Sequence, residues 1–289
     1  MLAVEPFESL PRRAYIFRRD FSKFSRSKPD CATTYSRKTI LGGEVVELQE
    51  VADGVAQITM QDRVHKNTFS GALIQGLARA FQQVKSNPRF RVVVLTGYDT
   101  YFCSGGTQDS LLMLHEGQAK FTDVNIYSVS LDCEIPVIAA MQGHGIGGGF
   151  IFGLFADCVL LSRESVYTAN FMKYGFTPGM GATYVLPRKL GMALSEEMLL
   201  GARNYRGADL EKRGIAFPVL PRAELMAYAY QLARDFAEKP RVSLVTLKSH
   251  LVAEMREQLP GVIAQEVLMH EKTFHQPEVK ARIQSFFGS

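Results

Sequence analysis

From Glu44 onward the chain alternates between apolar runs that suit strands and apolar spacings that suit helices. Val45-Val-Glu-Leu48 and Val55-Ala-Gln-Ile-Thr-Met60 alternate around a turn at Ala52-Asp-Gly54, which predicts an antiparallel pair. Leu73, Leu77, Phe81 and Val84 recur at helical spacing, so 69–86 reads as an amphipathic helix. A strand follows at 90–96. Residues 108–133 read as helices interrupted near Gly117, and 135–141 as a buried strand. Ile151-Phe-Gly-Leu-Phe-Ala-Asp157 reads as the start of a buried helix, Cys158–Leu161 as a short strand, and Val166–Ala169 as a candidate for another. Past residue 180 the pattern turns helical, at 193–200, 207–213, 222–237, 240–255, 260–273 and 277–287, with one strand near Ala216–Leu220. Strands alternating with helices predict an α/β core with a mainly parallel sheet, followed by a helical tail.

Residues 1–43 carry no such period. They are basic and serine-rich, and read as a flexible extension: a docking tail, a segment upstream of the true start, or a transit-like peptide. Residues 1–42 hold nine Lys/Arg against four Asp/Glu, an excess of five positive charges, so the other 247 residues sum to −1 within the overall +4. By charge, the body of the protein is no nucleic-acid binder. At 46% apolar and 21% charged, the 289 residues suit a water-soluble globular chain. No apolar run reaches membrane-spanning length. The four cysteines are scattered, which fits reduced thiols and a cytoplasmic location. Cys103 reads as a small buried hydrophobe rather than a nucleophile. No His/Cys/carboxylate spacing suggests a metal.

Chemistry concentrates in two glycine-rich turns, Phe102-Cys-Ser-Gly-Gly-Thr107 and Gln142-Gly-His-Gly-Ile-Gly-Gly-Gly-Phe150, each after a predicted strand. Backbone N–H groups freed at such turns can face an anion. Two of them aimed at one oxygen would stabilise an enolate. Neither turn has the spacing of a dinucleotide fingerprint or a P-loop.

Together with Gly175-Phe-Thr-Pro-Gly179, these phrases resemble the crotonase (enoyl-CoA hydratase/isomerase) superfamily from about Glu44 to the C-terminus. The resemblance implies a spiral of repeated ββα turns over 44–220 and a C-terminal helical trimerisation region over 221–289, hence a homotrimer or hexamer. It implies oxyanion donors at the backbone N–H groups of Ser104 and Gly148, with Gly105 and Gly147 lining the substrate. The hydratase branch also uses two glutamates, and those positions hold Ile151 and Phe171 here. Apolar side chains transfer no proton, so water addition by that route is excluded. Decarboxylation to an oxyanion-stabilised dienolate needs no base to begin.

Lys120 is the only Lys or Arg between Tyr101 and Ser162. Histidines 65, 115, 144, 250, 270 and 275 are candidate acids, and His144 inside its turn suits a structural hydrogen bond. The phrases Leu95–Gln108, Ala169–Thr183 and Met269-His-Glu-Lys-Thr-Phe-His275 resemble the decarboxylating crotonase-like enzymes of polyketide β-branching cassettes. That resemblance implies a catalytic pair at Lys120 and His270. It also implies a 3-methylglutaconyl thioester on acyl carrier protein as substrate, and no cofactor beyond the phosphopantetheine arm the substrate brings. Lys66, Arg63, Arg241 and Lys248 are candidates for a basic entrance to an acidic carrier. Two other readings stay open: a hydratase or isomerase with substitute residues such as Asp109, and a non-catalytic thioester-binding scaffold.

Overall fold

The computed structural model describes residues 45–123 and 125–287; the expected extension at 1–43 lies outside them. The described part opens with the predicted hairpin, β1 (Val46–Ala52) against β2 (Val55–Met60), and the helix α1 (Gly71–Ser86) that covers it. Ser70 caps α1 by accepting the Leu73 N–H. The spiral then repeats one unit. β3 (Val92–Thr96) turns a corner into the short β4 (Tyr101–Cys103) and on to α2 (Gln108–His115) and α3 (Val129–Asp132). β5 (Val137–Met141) turns into β6 (His144–Ile146) and α4 (Gly148–Leu154). β7 (Cys158–Ser162) turns into β8 (Val166–Thr168) and a 3-10 turn, Asn170–Tyr174. The rest is α5 (Ala182–Leu190), α6 (Met192–Gly201), β9 (Tyr205–Arg206), α7 (Gly207–Lys212), β10 (Val219–Leu220), α8 (Arg222–Ala237), α9 (Arg241–Thr273) and α10 (Pro277–Phe287).

Two sheets result. One runs β1-β2-β3-β5-β7-β10, parallel after its first pair; the other runs β4-β6-β8-β9. β3 and β5 are buried along their whole length, as expected of parallel strands covered on both faces. Val93, Leu95, Val137 and Ala139 face the main core, while Val92, Val94, Ile138 and Ala140 face Leu225, Ala229 and Ala233 of α8. Helix α8 lies beyond the expected boundary at 220, yet it roofs the same sheet.

Of the second sheet only β8 was expected, at Val166–Ala169; β4, β6 and β9 were not. Its strands are two or three residues long, too short to show a period of two. The corners leading into it need glycine: a Cβ on Gly97 would lie 2.0 Å from Tyr101 O, and one on Gly143 would lie 2.4 Å from Tyr101 N. The expected break between 255 and 260 is also absent. Helix α9 runs 33 residues straight through Pro260, because packing against α3 and α5 overrides the local penalty. Helix α5 was not expected either. Its N-cap, Gly181, has no capping side chain. Instead Glu266 of α9 accepts from Gly181 N–H (2.7 Å), Thr183 N–H (2.9 Å) and the Thr183 hydroxyl (2.6 Å).

Candidate active site

The glycine turns follow the C-terminal ends of β4 and β6, which are parallel neighbours. That adjacency brings them side by side. A Cβ on Gly105 would lie 2.7 Å from Ile146 O and 3.4 Å from Gly148 N, and Gly105 has φ +81°; only glycine lets the two backbones approach this closely. Buried Asn67 holds the first turn in place. Its amide donates to Met60 O (3.0 Å) and Phe102 O (2.9 Å), its Oδ1 accepts from Asp62 N–H (2.8 Å), and its carbonyl accepts from Ser104 N–H (3.1 Å).

This last bond corrects the assignment of Ser104 as an oxyanion donor, since its N–H already has an acceptor. Its hydroxyl is likewise engaged, donating to Lys66 O at 2.6 Å. Gly105 N–H faces the buried Cys103 sulfur. The Gly106 and Gly148 N–H groups make no hydrogen bond to any described residue. Gly148 is the first residue of α4, so its N–H has no helical acceptor.

Gly105, Gly106, Gly147 and Gly148 open onto a cavity of about 270 Å³. Its walls include Phe69, Phe171, Met180, Tyr127, Asn170 and Lys120. The two positions where the resemblance places glutamates are confirmed as apolar and buried: Ile151 within α4 and Phe171 in the 3-10 turn.

Lys120 is exposed at the cavity's edge. The segment around it is not helical, and its backbone N–H donates to Asp123 Oδ2 at 2.7 Å. Lys120 and Phe121 also line a second cavity of about 290 Å³, and His270 stands on that one's wall. His270 does not line the glycine cavity. It is 8% exposed and packed against Phe121 (ring centroids 4.7 Å apart) and Phe274 (5.7 Å). Its Nε2 lies 2.9 Å from Thr177 O. A carbonyl only accepts, so Nε2 carries a proton and a neutral ring keeps its lone pair on Nδ1. Burial pushes the imidazole below its ordinary range, against the opposing pull of the Thr177 and Pro178 carbonyls.

The other histidines are placed elsewhere. His144 Nδ1 accepts from Val166 N–H at 2.9 Å, a structural bond within the second sheet. His115 and His275 join the end of α2 to the α9–α10 junction, with His275 Nδ1 2.7 Å from His115 O. His65 pairs with Asp62 in the β2–α1 loop, and His250 is exposed on α9. Asp109 is exposed in the first turn of α2 and does not line the cavity. Burial pushes the Cys103 thiol up to about 12, which removes it as a nucleophile.

The entrance cations separate in the same way. Lys248 is no entrance residue: it is 3% exposed, bonded to Asp157 Oδ2 (2.7 Å), Ser130 O (2.9 Å) and Ile135 O (3.0 Å). Arg241 ties Phe90 O to Glu134. Arg63 and Lys66 are exposed in the loop beside the first glycine turn, Arg63 pairing with Asp99 at 2.8 Å. Among the described residues no group of three His, Cys, Asp or Glu is arranged to hold a metal, and no helix is long and apolar enough to cross a membrane.

Three residues the sequence reading passed over shape the site. Asn67 and Glu266 act through bonds to partners 35 and 85 positions away, which no local pattern reveals. Tyr127 lines the glycine cavity at 5% exposure; in sequence it is one polar-tipped aromatic among many.

This spiral of ββα turns, with paired glycine loops on one cavity, matches the enoyl-CoA hydratase/isomerase family over residues 50–288, and the chain belongs to that family. It is 65% identical over 245 residues to the bacillaene synthase decarboxylase PksI of Bacillus subtilis (strain 168), covering 85% of this chain and 98% of that protein. A solved structure from a dehydratase/decarboxylase enzyme couple involved in polyketide β-branching is similar at TM-score 0.82 and 66% identity, over 83% of this chain and 95% of that one. The ECH2 decarboxylase domain of CurF from Lyngbya majuscula is similar at TM-score 0.81 and 46% identity, over 84% and 99%.

Proposed function

We propose that this chain is a carbon–carbon lyase that removes CO2 from a 3-methylglutaconyl thioester carried on acyl carrier protein, giving the 3-methylcrotonyl thioester. The observation that carries this reading is a cavity with two unengaged backbone N–H groups and a lysine at its edge, with apolar residues at both hydratase carboxylate positions.

The reaction breaks the bond between the carboxylate carbon and the chain. Its electron pair flows through the conjugated double bond onto the thioester oxygen, CO2 leaves neutral, and the dienolate then takes one proton on carbon. The Gly106 and Gly148 N–H groups are the donors to the oxyanion, replacing the Ser104–Gly148 pair. Hydrogen bonds to a developing oxyanion are worth roughly 10²–10³ in rate each. Lys120 orients the carboxylate end, and His270, with its Nδ1 lone pair free to accept, relays a proton taken up from the second cavity. Ile151 and Phe171 offer no carboxylate to activate a water, which separates this chemistry from hydration.

The carrier docks near the exposed Arg63 and Lys66, where long-range attraction to an acidic partner speeds encounter. No cofactor is needed beyond the phosphopantetheine arm. Val242, Leu247 and Leu251 of α9 are apolar and exposed, and in this reading they meet other copies in a homotrimer or a dimer of trimers.

The test is intact mass of a 3-methylglutaconyl-loaded carrier before and after adding the protein. Loss of one CO2 is expected. Gain of one water would mean hydration and would sink the decarboxylase reading, and so would an unchanged mass.

A further inference from the structure

One polar group in the glycine cavity has no role in the chemistry above. Tyr127 is 5% exposed and its ring packs on Phe155 at 6.1 Å. Tyr127 lines the cavity, and its hydroxyl makes no hydrogen bond to any described residue and is not among the fully sealed polar atoms of the interior. A phenol that no protein group engages can give its hydrogen bond to a ligand in the cavity. It stands on the same segment as Lys120 and Asp123, which line the same cavity. Asp123 is occupied by the Lys120 backbone N–H.

We propose that the Tyr127 hydroxyl is a substrate-binding hydrogen-bond donor for the carboxylate that leaves as CO2. This rests on the decarboxylase reading. The substrate has two polar ends, and the glycine N–H groups take the thioester oxygen. That leaves the carboxylate for the wall that includes Lys120, Phe121, Ile126 and Tyr127. Burial, with Glu266 and Asp132 nearby, holds the phenol above its ordinary range, so it stays protonated and can only donate to an anion. A neutral donor suits this task. Beside Lys120 it adds to the hold on the carboxylate without adding a second full charge, and its hold weakens as the carboxylate loses its charge in the transition state. Other neutral groups fit less well. Asn170 turns its carbonyl oxygen toward Gly147, and Tyr174 is only half-buried, stacked between Phe176 and Phe287.

The test compares the full-length wild type with Tyr127→Phe, which keeps the ring and removes the oxygen. The readouts are CO2 release from 3-methylglutaconyl-carrier, affinity for the carboxylate-free 3-methylcrotonyl-carrier, and melting temperature. A bond made to the ground-state carboxylate predicts a KM raised roughly tenfold with kcat held or increased. Affinity for the carboxylate-free thioester should be unchanged. Equal KM in the two proteins overturns the assignment, as does an equal loss of affinity for the carboxylate-free thioester. A fall in kcat alone overturns it too, making the phenol a proton donor instead. Should Tyr127→Phe not fold, 3-fluorotyrosine at 127 serves: a more acidic phenol should lower KM, and an unchanged KM refutes the idea. A wild type that releases no CO2 refutes the decarboxylase reading itself. CO2 release with identical kinetics in both proteins refutes only the tyrosine.

Discussion

His270 is a titratable group held in an aromatic cage, and that placement has consequences in two assays. Its folded pKa lies below the ordinary 6.5. Below that pH the unfolded chain therefore takes up a proton that the folded one refuses. The stability is complete above about 6.5 and is lost as pH falls through the folded value. His144 is shifted in the same direction by burial and by Arg222. The melting temperature of the wild type should therefore fall on acidification below about pH 6.5, and His270→Gln should remove part of that slope. In turnover, His270→Gln and Lys120→Ala should each lower kcat by roughly 10²–10⁴, the usual worth of positioned acid–base groups. Full activity in both variants would dismiss the pair. Sequence could name these two residues only through their surrounding phrases, because a lone lysine and a lone histidine on a mixed helix face carry no signature of their own. Ser104 shows the limit most clearly: the phrase marked the right turn, but which of its N–H groups is unengaged depends on Asn67, a residue 37 positions earlier that points back across the loop.

The two glycine turns are the elements on which the chemistry depends, and their glycines are needed for different reasons. Gly149→Ala would place a Cβ 2.2 Å from Cys103 O. Neither backbone can yield there, so a loss of about 1–3 kcal/mol or more in urea unfolding is expected. Gly148 is at the first helical position, where proline is tolerated and its missing N–H harms no helical bond. A Cβ there meets the Met180 side chain rather than backbone. Gly148→Pro should therefore fold with a near-native circular dichroism melt yet lose roughly 10²–10³ in kcat. A variant that folds with full kcat would show that this N–H does not serve the reaction. The glycine runs and the longer strands were legible because spacing and composition are local. The short strands β4 and β6, which set the two turns next to each other, were not. They exist only because corner glycines turn the chain out of one sheet and into the other.

At the scale of the whole molecule, α9 does more than extend a helical tail. Near its start Lys248 reaches into the core, fixing Asp157 and two carbonyls with a single ammonium. Lys248→Met should destabilise by about 3–5 kcal/mol, because an anion and two acceptors lose their partner at once. Chemical denaturation would measure this, and a cost under 1 kcal/mol would mean water replaces the ammonium freely. Further along, Glu266 supplies the cap that α5 lacks, and His270 stands one turn beyond it. The Glu266 bond has a consequence for the order of events during synthesis. Gly181 and Thr183 leave the ribosome more than eighty residues ahead of the carboxylate that receives their N–H groups, which at typical elongation rates is a wait of several seconds. Until then the wall carrying Gly179 and Met180 has no anchor. A nascent chain paused after β10 would have its strands but neither the α8 roof nor a finished cavity, and would become competent for chemistry only when its last quarter docks.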